Sequence, residues 1–334
     1  MNTQQEMNDK GALGTFLKEQ AIAYEQNVLM SERTWIHRGG KTQYYVSPAT
    51  EKELVVCVRY LYQQELPFKV IGHTSNLYFL NESEFFCIVS TKKIRDYQEK
   101  GDCFECSCGT PIAPLAKYAV ENGIEGGYQG FVDLPGTVAS AIVNNSSCYD
   151  CYVSDLLIDA RVLMYNGEIR TVKYPDFEYS DRSSAFKQQK LRGVILSVRL
   201  KCQKSDNKGY IQSEAQKCSD IRKRYQEPPA RNLGSIFPSY VTIAFYAHLP
   251  FIPKTLIRAN RLLCRIVHCV PSQRVVKNIL LGYYPEIRPI KQYISDKNVG
   301  CFVWRDANAD EAFNVYRKWY CGIAGNNDTE IEVL

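Results

Sequence analysis

No stretch of this chain is both long and apolar enough to cross a bilayer. The most apolar segments, IAFYAHLPFIPKTLI and RLLCRIVHCV, are broken by Pro, His, Lys or Arg, short of the roughly 18 clean residues that a span requires. The opening MNTQQEMNDKGALGTFLKEQ has no basic patch followed by an apolar run, so a secretory leader is not expected. Glycine, at 20, and proline, at 14, are too few for a collagen-like or low-complexity chain. Charge of one sign is scarce as well: 41 Lys and Arg stand against 36 Asp and Glu, a net of +5 with the signs interspersed. No basic block marks a nucleic-acid face, and no nucleic-acid partner is expected. The four histidines (His37, His73, His248, His268) are scattered, and only His268 adjoins a cysteine, Cys269. The G-x-G-x-x-G fingerprint is absent, so a Rossmann site is not indicated.

What remains is 334 residues, 45% apolar and 23% charged, the composition of a soluble globular protein with two or three domains. Thirteen cysteines are an odd number in a chain without a leader, which points to free thiols in a reducing cytoplasm. Cys103, Cys106 and Cys108 form C-x-x-C-x-C, and Cys148 with Cys151 forms C-x-x-C. Such pairs could hold zinc or an iron–sulfur cluster. No histidine lies near either pair, so CFECSCGT reads as a strand with alternating sides, CYDCY reads as a loop, and no metal is expected.

The first ninety residues alternate strand, helix, strand, turn and strand, an α/β or α+β pattern. A strand at 44–48 stops at Pro48, and Thr50 with Glu53 makes a capping box. Leu54, Cys57, Val58 and Leu61 then recur at helical spacing to about Gln64. PFKVIG and FFCIVST are strands. Beyond them PIAPLAKYAVENG is a helix ending at Gly123, LLIDARVLMYNGEIRTVKY a hairpin turning at Asn166-Gly167, and VILSVRLKC a strand. The polar QKSDNKGYIQSEAQK reads as a linker, which puts the main boundary near 205. In the region after it, RANRLLCRIVHCV reads as an amphipathic helix packed on its domain, with a membrane surface as the second reading.

Two separated turns of small residues carry the functional signal. Gly72-His73-Thr74-Ser75-Asn76 follows the strand PFKVI, and Pro135-Gly136-Thr137 leads into Ala139, Ser140, Ala141, Asn144 and Asn145. Small residues let backbone N–H groups approach an anion closely, and two such loops suit the pyrophosphate of a dinucleotide.

In order along the chain, these segments resemble the UDP-N-acetylenolpyruvoylglucosamine reductase (MurB) family. That family has N-T-x-x-x-G-G, L-G-x-G-S-N-L and I-P-G-T-V-G-G-A…N-A-G-A-Y-G. Here Thr34 with Gly39-Gly40, IGHTSNLYF and LPGTVASAIVNNSSCYD stand at those places. Downstream, Y-R-x-S-x-F-K is matched by Asp181-Arg182-Ser183-Ser184-Ala185-Phe186-Lys187, and G-S-x-F by Gly234-Ser235-Ile236-Phe237. S-E-K-H is matched by Ser295-Asp296-Lys297-Asn298, and L-E-x-E-V by Thr329-Glu330-Ile331-Glu332-Val333. The departures are Ala139 and Ser140 for two glycines, Ser147 and Asp150 for two more, Asp181 for the tyrosine and Asn298 for the histidine. Residues 240–290 have no counterpart in the family pattern.

The resemblance implies an α+β protein with a two-lobed FAD-binding domain of the PCMH type, lobes 1–90 and 91–204, and a smaller α+β substrate domain over 205–334. It implies FAD as cofactor and NADPH as reductant. The substrate would be a UDP-linked enolpyruvyl sugar, handled by a cytoplasmic monomer or weak oligomer. Cofactor contacts would come from Thr34, Gly72, His73, Thr74, Ser75, Asn76, Leu77, Pro135, Gly136, Thr137, Ala139, Ser140, Asn145 and Ile195. Lys223 and Lys297 are candidates for the sugar diphosphate. The chemistry is conjugate reduction of an unsaturated carboxylate, in which negative charge develops on the α-carbon and carboxylate. Arg182 would grip the carboxylate, Ser235 would protonate the α-carbon, and Glu332 would complete the site. Taken alone, Arg182 reads as a solvated loop cation, Ser235 as a turn residue and Glu332 as a frayed end. The alternatives are an FAD-linked oxidase or dehydrogenase of another sugar or alcohol, and a non-catalytic flavin-binding paralogue.

Overall fold

The computed structural model describes residues 12–267 and 272–334. The extreme N-terminus and the His268–Cys269 neighbourhood singled out above lie outside the described residues. The chain divides into two compact units. The first comprises the chain up to Glu32, Gly40–Thr74 and Asn81–Ser219; the second comprises Arg33–Gly39, Ser75–Leu80 and Asp220–Leu334.

The first unit opens with α1 (residues 12–19), β1 (Tyr24–Leu29), β2 (Lys41–Val46), α2 (Glu51–Gln63) and β3 (Phe68–Ile71). The short β4 (Leu77–Tyr78) belongs to the second unit, and β5 (Glu84–Ser90) returns to the first. The sheet order is β1-β2-β5-β3, with β1 antiparallel to β2 and β5 parallel to both of its neighbours. The α2 start is where the sequence put it: Thr50 Oγ1 accepts from the Glu53 N–H at 3.2 Å, and the Glu53 carboxylate reaches back to the Ala49 N–H at 2.9 Å. Leu54, Cys57, Val58 and Leu61 bury one face of the helix against Leu13, Leu17, Val46 and Val89.

The second sheet is antiparallel throughout, in the order β11-β10-β12-β7-β6. It is built from β6 (Tyr97–Lys100), β7 (Cys103–Ser107), β10 (Leu157–Met164), β11 (Ile169–Lys173) and β12 (Gly193–Lys201). Between β7 and β10 run α3 (Ile112–Glu121), α4 (Val138–Val143), the small hairpin β8 (Ser147–Cys148) and β9 (Cys151–Tyr152), and α5 (Val153–Leu156). A common core of Phe104, Leu115, Tyr128, Phe131, Ile142 and Val198 joins the helices to this sheet.

Three local expectations need correction. The β10–β11 turn closes with the Gly167 N–H on the Met164 carbonyl at 2.9 Å. Gly167 has φ 82° and Asn166 keeps an ordinary negative φ, so this is a longer bulged turn rather than a two-residue one. Cys148 and Cys151 are register partners in the β8–β9 hairpin rather than loop residues. The supposed linker is α6 (Lys208–Tyr225), whose Ile211 and Ala215 pack into the core of the second sheet. Two apolar residues one turn apart were enough to dock a helix that is otherwise polar, and the division between units falls inside it, at Ser219 and Asp220.

The second unit holds β13 (Asn232–Ser235), α7 (Ser239–His248), α8 (Phe251–Ile266), α9 (Gln273–Tyr283), β14 (Cys301–Val303), α10 (Ala309–Ala324) and β15 (Glu332–Val333). β13 pairs antiparallel with β14, and β15 pairs parallel with β4. The core is aromatic, with the Tyr320 ring stacked at 4.0 Å on both Phe237 and Phe245, geometry that adds to simple area burial. Residues 240–290 are therefore not an appendage: Val241, Phe245, Ile257, Val276 and Leu280 are core. The C-terminus is not frayed, because β15 is hydrogen-bonded along β4.

Among the described residues the cysteines are free thiols, and no cluster of His, Cys, Asp and Glu is placed to hold a metal. Burial pushes the Cys57, Cys106 and Cys108 thiols up to about 12, which keeps them protonated and unreactive. Among the same residues no helix is long and apolar enough to cross a membrane.

Candidate active site

In the first unit the two small-residue loops meet. Gly72 leaves the end of β3 so close to Thr137 that a Cβ there would lie 2.7 Å from Thr137 Oγ1 and 3.0 Å from its methyl. Gly136, at φ 133°, makes a turn that residues with side chains rarely adopt. Thr137 then caps α4. Its Oγ1 accepts from the Ser140 N–H at 3.3 Å, while the Thr137 N–H donates to Ser140 Oγ at 3.0 Å. Ser140, which stands where the family pattern has glycine, thus serves as the second half of a capping box. Ala139, the other replacement, is half-buried between the two cores of this unit.

Two further loop positions keep a glycine-like backbone without glycine. Thr74, at the second glycine of L-G-x-G-S-N-L, has φ 60°, and Asp150, at the last glycine of N-A-G-A-Y-G, also has φ 60°. A β-branched residue in the left-handed region is uncommon and costs about 1–2 kcal/mol, so the surrounding structure holds the loop in place. His73 beside it has its pKa lowered, first by burial and then by Lys92. Protonation of this imidazole is disfavoured in the folded protein.

Asn145 follows α4 with φ 43°. Its Nδ2 donates to the Ser180 carbonyl at 2.9 Å, and its buried Oδ1 has no partner. Ser184 Oγ donates to the Val143 carbonyl at 2.6 Å. These two bonds fix the Ser180–Ser184 loop to the end of α4. Arg182 sits between them at φ 53°, its carbonyl accepting from Lys187 Nζ at 3.0 Å. Arg182 is therefore part of the same neighbourhood as Asn145. Ile195 lies within β12, buried in the core of the second sheet.

Ser235 ends β13 in the second unit. Gly234 before it has φ 77°, and the β13–β14 register shifts between Asn232 and Ser235, a bulge of the kind that re-aims a side chain. The Asn298 amide then holds the Ser235 hydroxyl. Nδ2 donates to Ser235 Oγ at 3.0 Å, and Oδ1 accepts from the Gly300 N–H at 2.9 Å. Because Oδ1 is committed to Gly300, the NH2 end must face Ser235, so Oγ accepts and its own proton stays free to be donated. Sequence reasoning recorded Asn298 only as a lost histidine. Its role depends on the Ser295–Asn298 turn, pinned by the Lys297 and Asn298 N–H groups on Ser295 Oγ at 2.9 and 3.0 Å. Buried Lys277 anchors the same turn through the Ile294 carbonyl at 2.6 Å and the Asp296 carboxylate at 2.7 Å. That ammonium, donating a hydrogen bond, holds the Asp296 pKa below its ordinary value.

The C-terminal strand runs beside Ser235. The Glu330 N–H donates to the Ile236 carbonyl at 2.8 Å, Asn76 Nδ2 donates to the Glu330 carbonyl at 3.1 Å, and the Glu332 N–H donates to the Asn76 carbonyl at 3.1 Å. Ser75, Asn76 and Leu77 thus belong with Ser235 and Glu332, whereas Gly72, His73 and Thr74 belong with Thr137. Thr34, also in the second unit, uses its hydroxyl on its own turn, donating to the Arg38 carbonyl at 2.6 Å and accepting from the Arg38 N–H at 3.0 Å. Lys297 Nζ donates to the Lys223 carbonyl at 2.7 Å, and Lys223 faces Asp220 at 3.9 Å. These two cations are neighbours at the end of α6.

Residues 42–173 match the FAD binding domain family. Over 225 residues the chain is 28% identical to the UDP-N-acetylenolpyruvoylglucosamine reductase of Caldicellulosiruptor bescii, covering 66% of this chain and 70% of that protein. The reductase of the same name from Listeria innocua is 26% identical over 216 residues, covering 65% and 71%. The crystal structure of UDP-N-acetylenolpyruvylglucosamine reductase (MurB) from Thermus caldophilus matches with a TM-score of 0.65 at 19% identity, over 93% of this chain and 99% of that one. At that identity the likeness speaks for the fold. The residues of the first unit fit FAD: Gly72 lets the two small-residue loops approach closely, with the Thr137 side chain against it, and the unpaired Asn145 Oδ1 is a buried acceptor in want of a donor. The sequence relatives, the FAD-binding domain match over 42–173 and the shared fold agree in likening this chain to the UDP-N-acetylenolpyruvoylglucosamine reductase (MurB) family.

Proposed function

We propose that this protein reduces the enolpyruvyl ether of a UDP-linked amino sugar to a lactyl ether, with NADPH as the source of electrons, in cell-wall precursor synthesis or a close variant of it. The reading rests above all on the backbone ladder that lays Glu330–Glu332 against Ile236 and Asn76, beside a serine whose proton is free to be donated. FAD, when bound, supplies hydride to the terminal carbon of the enolpyruvyl group. Ser235 then delivers the proton that the α-carbon needs, a transfer suited to a weak acid because the carbanionic intermediate is strongly basic. Arg182 grips the carboxylate on which charge develops, through two N–H groups in a fixed plane. Glu332 orients the reacting end, and Lys223 with Lys297 meets the diphosphate. In this reading the lobes over 1–90 and 91–204 hold the cofactor, and residues 205–334 hold the substrate.

The test is the visible spectrum of the purified protein followed through one turnover. The protein should be yellow, release about one equivalent of FAD, bleach with NADPH and recolour when the UDP-enolpyruvyl sugar is added. Arg182→Lys should bleach normally and recolour slowly, since one ammonium cannot reproduce a two-point grip. A flavoprotein that bleaches and is never reoxidised by the sugar would refute the substrate assignment. A colourless protein that takes up no added FAD would refute the cofactor assignment.

The Asn298 amide gives a second, independent check. In Asn298→Asp the side chain can only accept, so it competes for the Ser235 proton instead of freeing it. Recolouring should slow by about 10–100-fold while bleaching is unchanged. Asn298→Ala, which removes the contact without capturing the proton, should be less impaired than Asn298→Asp.

A further inference from the structure

Helix α8 carries its side chains in three parallel stripes. Pro253, Ile257 and Cys264 face inward and are buried. Lys254, Arg258, Arg261 and Arg265 follow at spacings of one turn, the three arginines exposed. Most of the remaining circumference is apolar and open to solvent: Phe251 is 82% exposed, Ile252 60%, Leu256 50%, Leu263 61% and Ile266 65%. At about 3.6 residues per turn the cationic stripe lies along one edge of the apolar one, between it and the buried face. A soluble monomer rarely shows so many large apolar side chains on one helix without a use for them.

The charge around this face decides what covers it. No Asp or Glu occurs anywhere between Glu227 and Glu286, in a chain that holds 36 of them. The helices α7, α8 and α9 all fall in that interval and contain no carboxylate, whereas Lys and Arg recur through it. A second copy docked face to face would set one cationic stripe near the other with no acid in these helices to relieve it. A nucleic acid would satisfy the cations and leave the apolar stripe in water. An anionic bilayer satisfies both: the apolar stripe enters the acyl boundary, while the long Lys and Arg side chains reach sideways to phosphate headgroups. The chain has no helix able to span a membrane among its described residues, so the attachment is to one leaflet.

We infer that α8 is an interfacial helix by which this protein docks on anionic lipid surfaces. The inference is independent of the reaction, because Phe251, Leu263 and the arginines take no part in the site described above.

The test uses the full chain with its flavin and extruded vesicles of phosphatidylcholine, with or without about a third of phosphatidylglycerol, separated by flotation. The wild-type protein should float with the anionic vesicles, float poorly with pure phosphatidylcholine, and release as salt is raised from about 0.05 to about 0.5 M. Each of Arg258→Gln and Arg265→Gln should weaken binding about fivefold. Phe251→Ser combined with Leu263→Ser should abolish binding while thermal melting and the flavin spectrum are retained, since both residues are exposed. Wild-type protein that stays with the soluble fraction at low salt would overturn the inference. So would flotation unaffected by the Phe251/Leu263 double variant, or sedimentation showing that the same double variant instead dissolves a dimer that does not bind vesicles.

Discussion

Ser235→Ala is expected to separate the two halves of the catalytic cycle. Bleaching of the flavin by NADPH should proceed at the wild-type rate, because nothing in that half-reaction needs a proton at the α-carbon of the sugar. Recolouring by the enolpyruvyl substrate should slow by about 10²–10⁴-fold, the usual worth of a positioned proton donor. The geometry sharpens the expectation. The hydroxyl is aimed by a bulge at Gly234 and held by an amide whose orientation Gly300 fixes. Ser235→Cys, with a thiol on the same backbone, should recover part of the rate. Stopped-flow spectra read both halves directly. Equal slowing of the two would identify a damaged flavin site rather than a missing acid, and unchanged recolouring would show that the proton comes from elsewhere.

How much of this was readable beforehand depends on the range over which each signal acts. The α2 helix was legible because its cap and its apolar period lie within one segment, and Thr50 with Glu53 forms the bonds that the spacing required. β4 and β15 were not legible. Each is two residues long, and neither has a reason to be a strand except the other. The ordered C-terminus follows from that pairing, which no local rule could foresee. α6 was mistaken for a linker because a docked helix can live on one narrow apolar stripe, here Ile211 and Ala215. Ser235 and Arg182 were singled out through short motifs, and their proposed roles await the tests above. The Asn298–Ser235 contact was not legible, because it is a hydrogen bond between residues far apart in the chain. The glycine replacements at Thr74 and Asp150 looked like losses of the loop geometry, yet the backbone keeps its left-handed turns at both. Sequence motifs record which residue is easiest at such a turn, while the fold records which conformation is required.

That distinction singles out Gly72 in the proposed cofactor site, and makes Gly72→Ala the second variant with a large expected effect. Thr74 and Asp150 show that a side chain can be carried at positive φ in these loops. Gly72 is different, because its constraint is space. Its added methyl would sit 2.7 Å from Thr137 Oγ1, closer than real Cβ atoms come, and a tight 3.0 Å from Thr137 Cγ2, and Thr137 is a poor candidate to yield. It is buried, its hydroxyl caps α4, and its own N–H is bound by Ser140. The added methyl must therefore push the two loops apart. Overpacking of this kind costs about 1–3 kcal/mol, which for a unit of this size lowers the melting temperature by a few degrees per kcal/mol without unfolding it. If the two loops hold the dinucleotide as proposed, the loss of flavin should be far larger, because their separation would change. We expect Gly72→Ala to purify as a folded, pale protein with flavin content reduced at least tenfold. Thr137→Ser, which keeps the cap and removes only the methyl, should stay yellow. The double variant Gly72→Ala with Thr137→Ser should remain pale, since the closer of the two clashes is with the retained oxygen. Full flavin occupancy in Gly72→Ala would mean that the close approach of these loops serves packing alone and that the dinucleotide lies elsewhere.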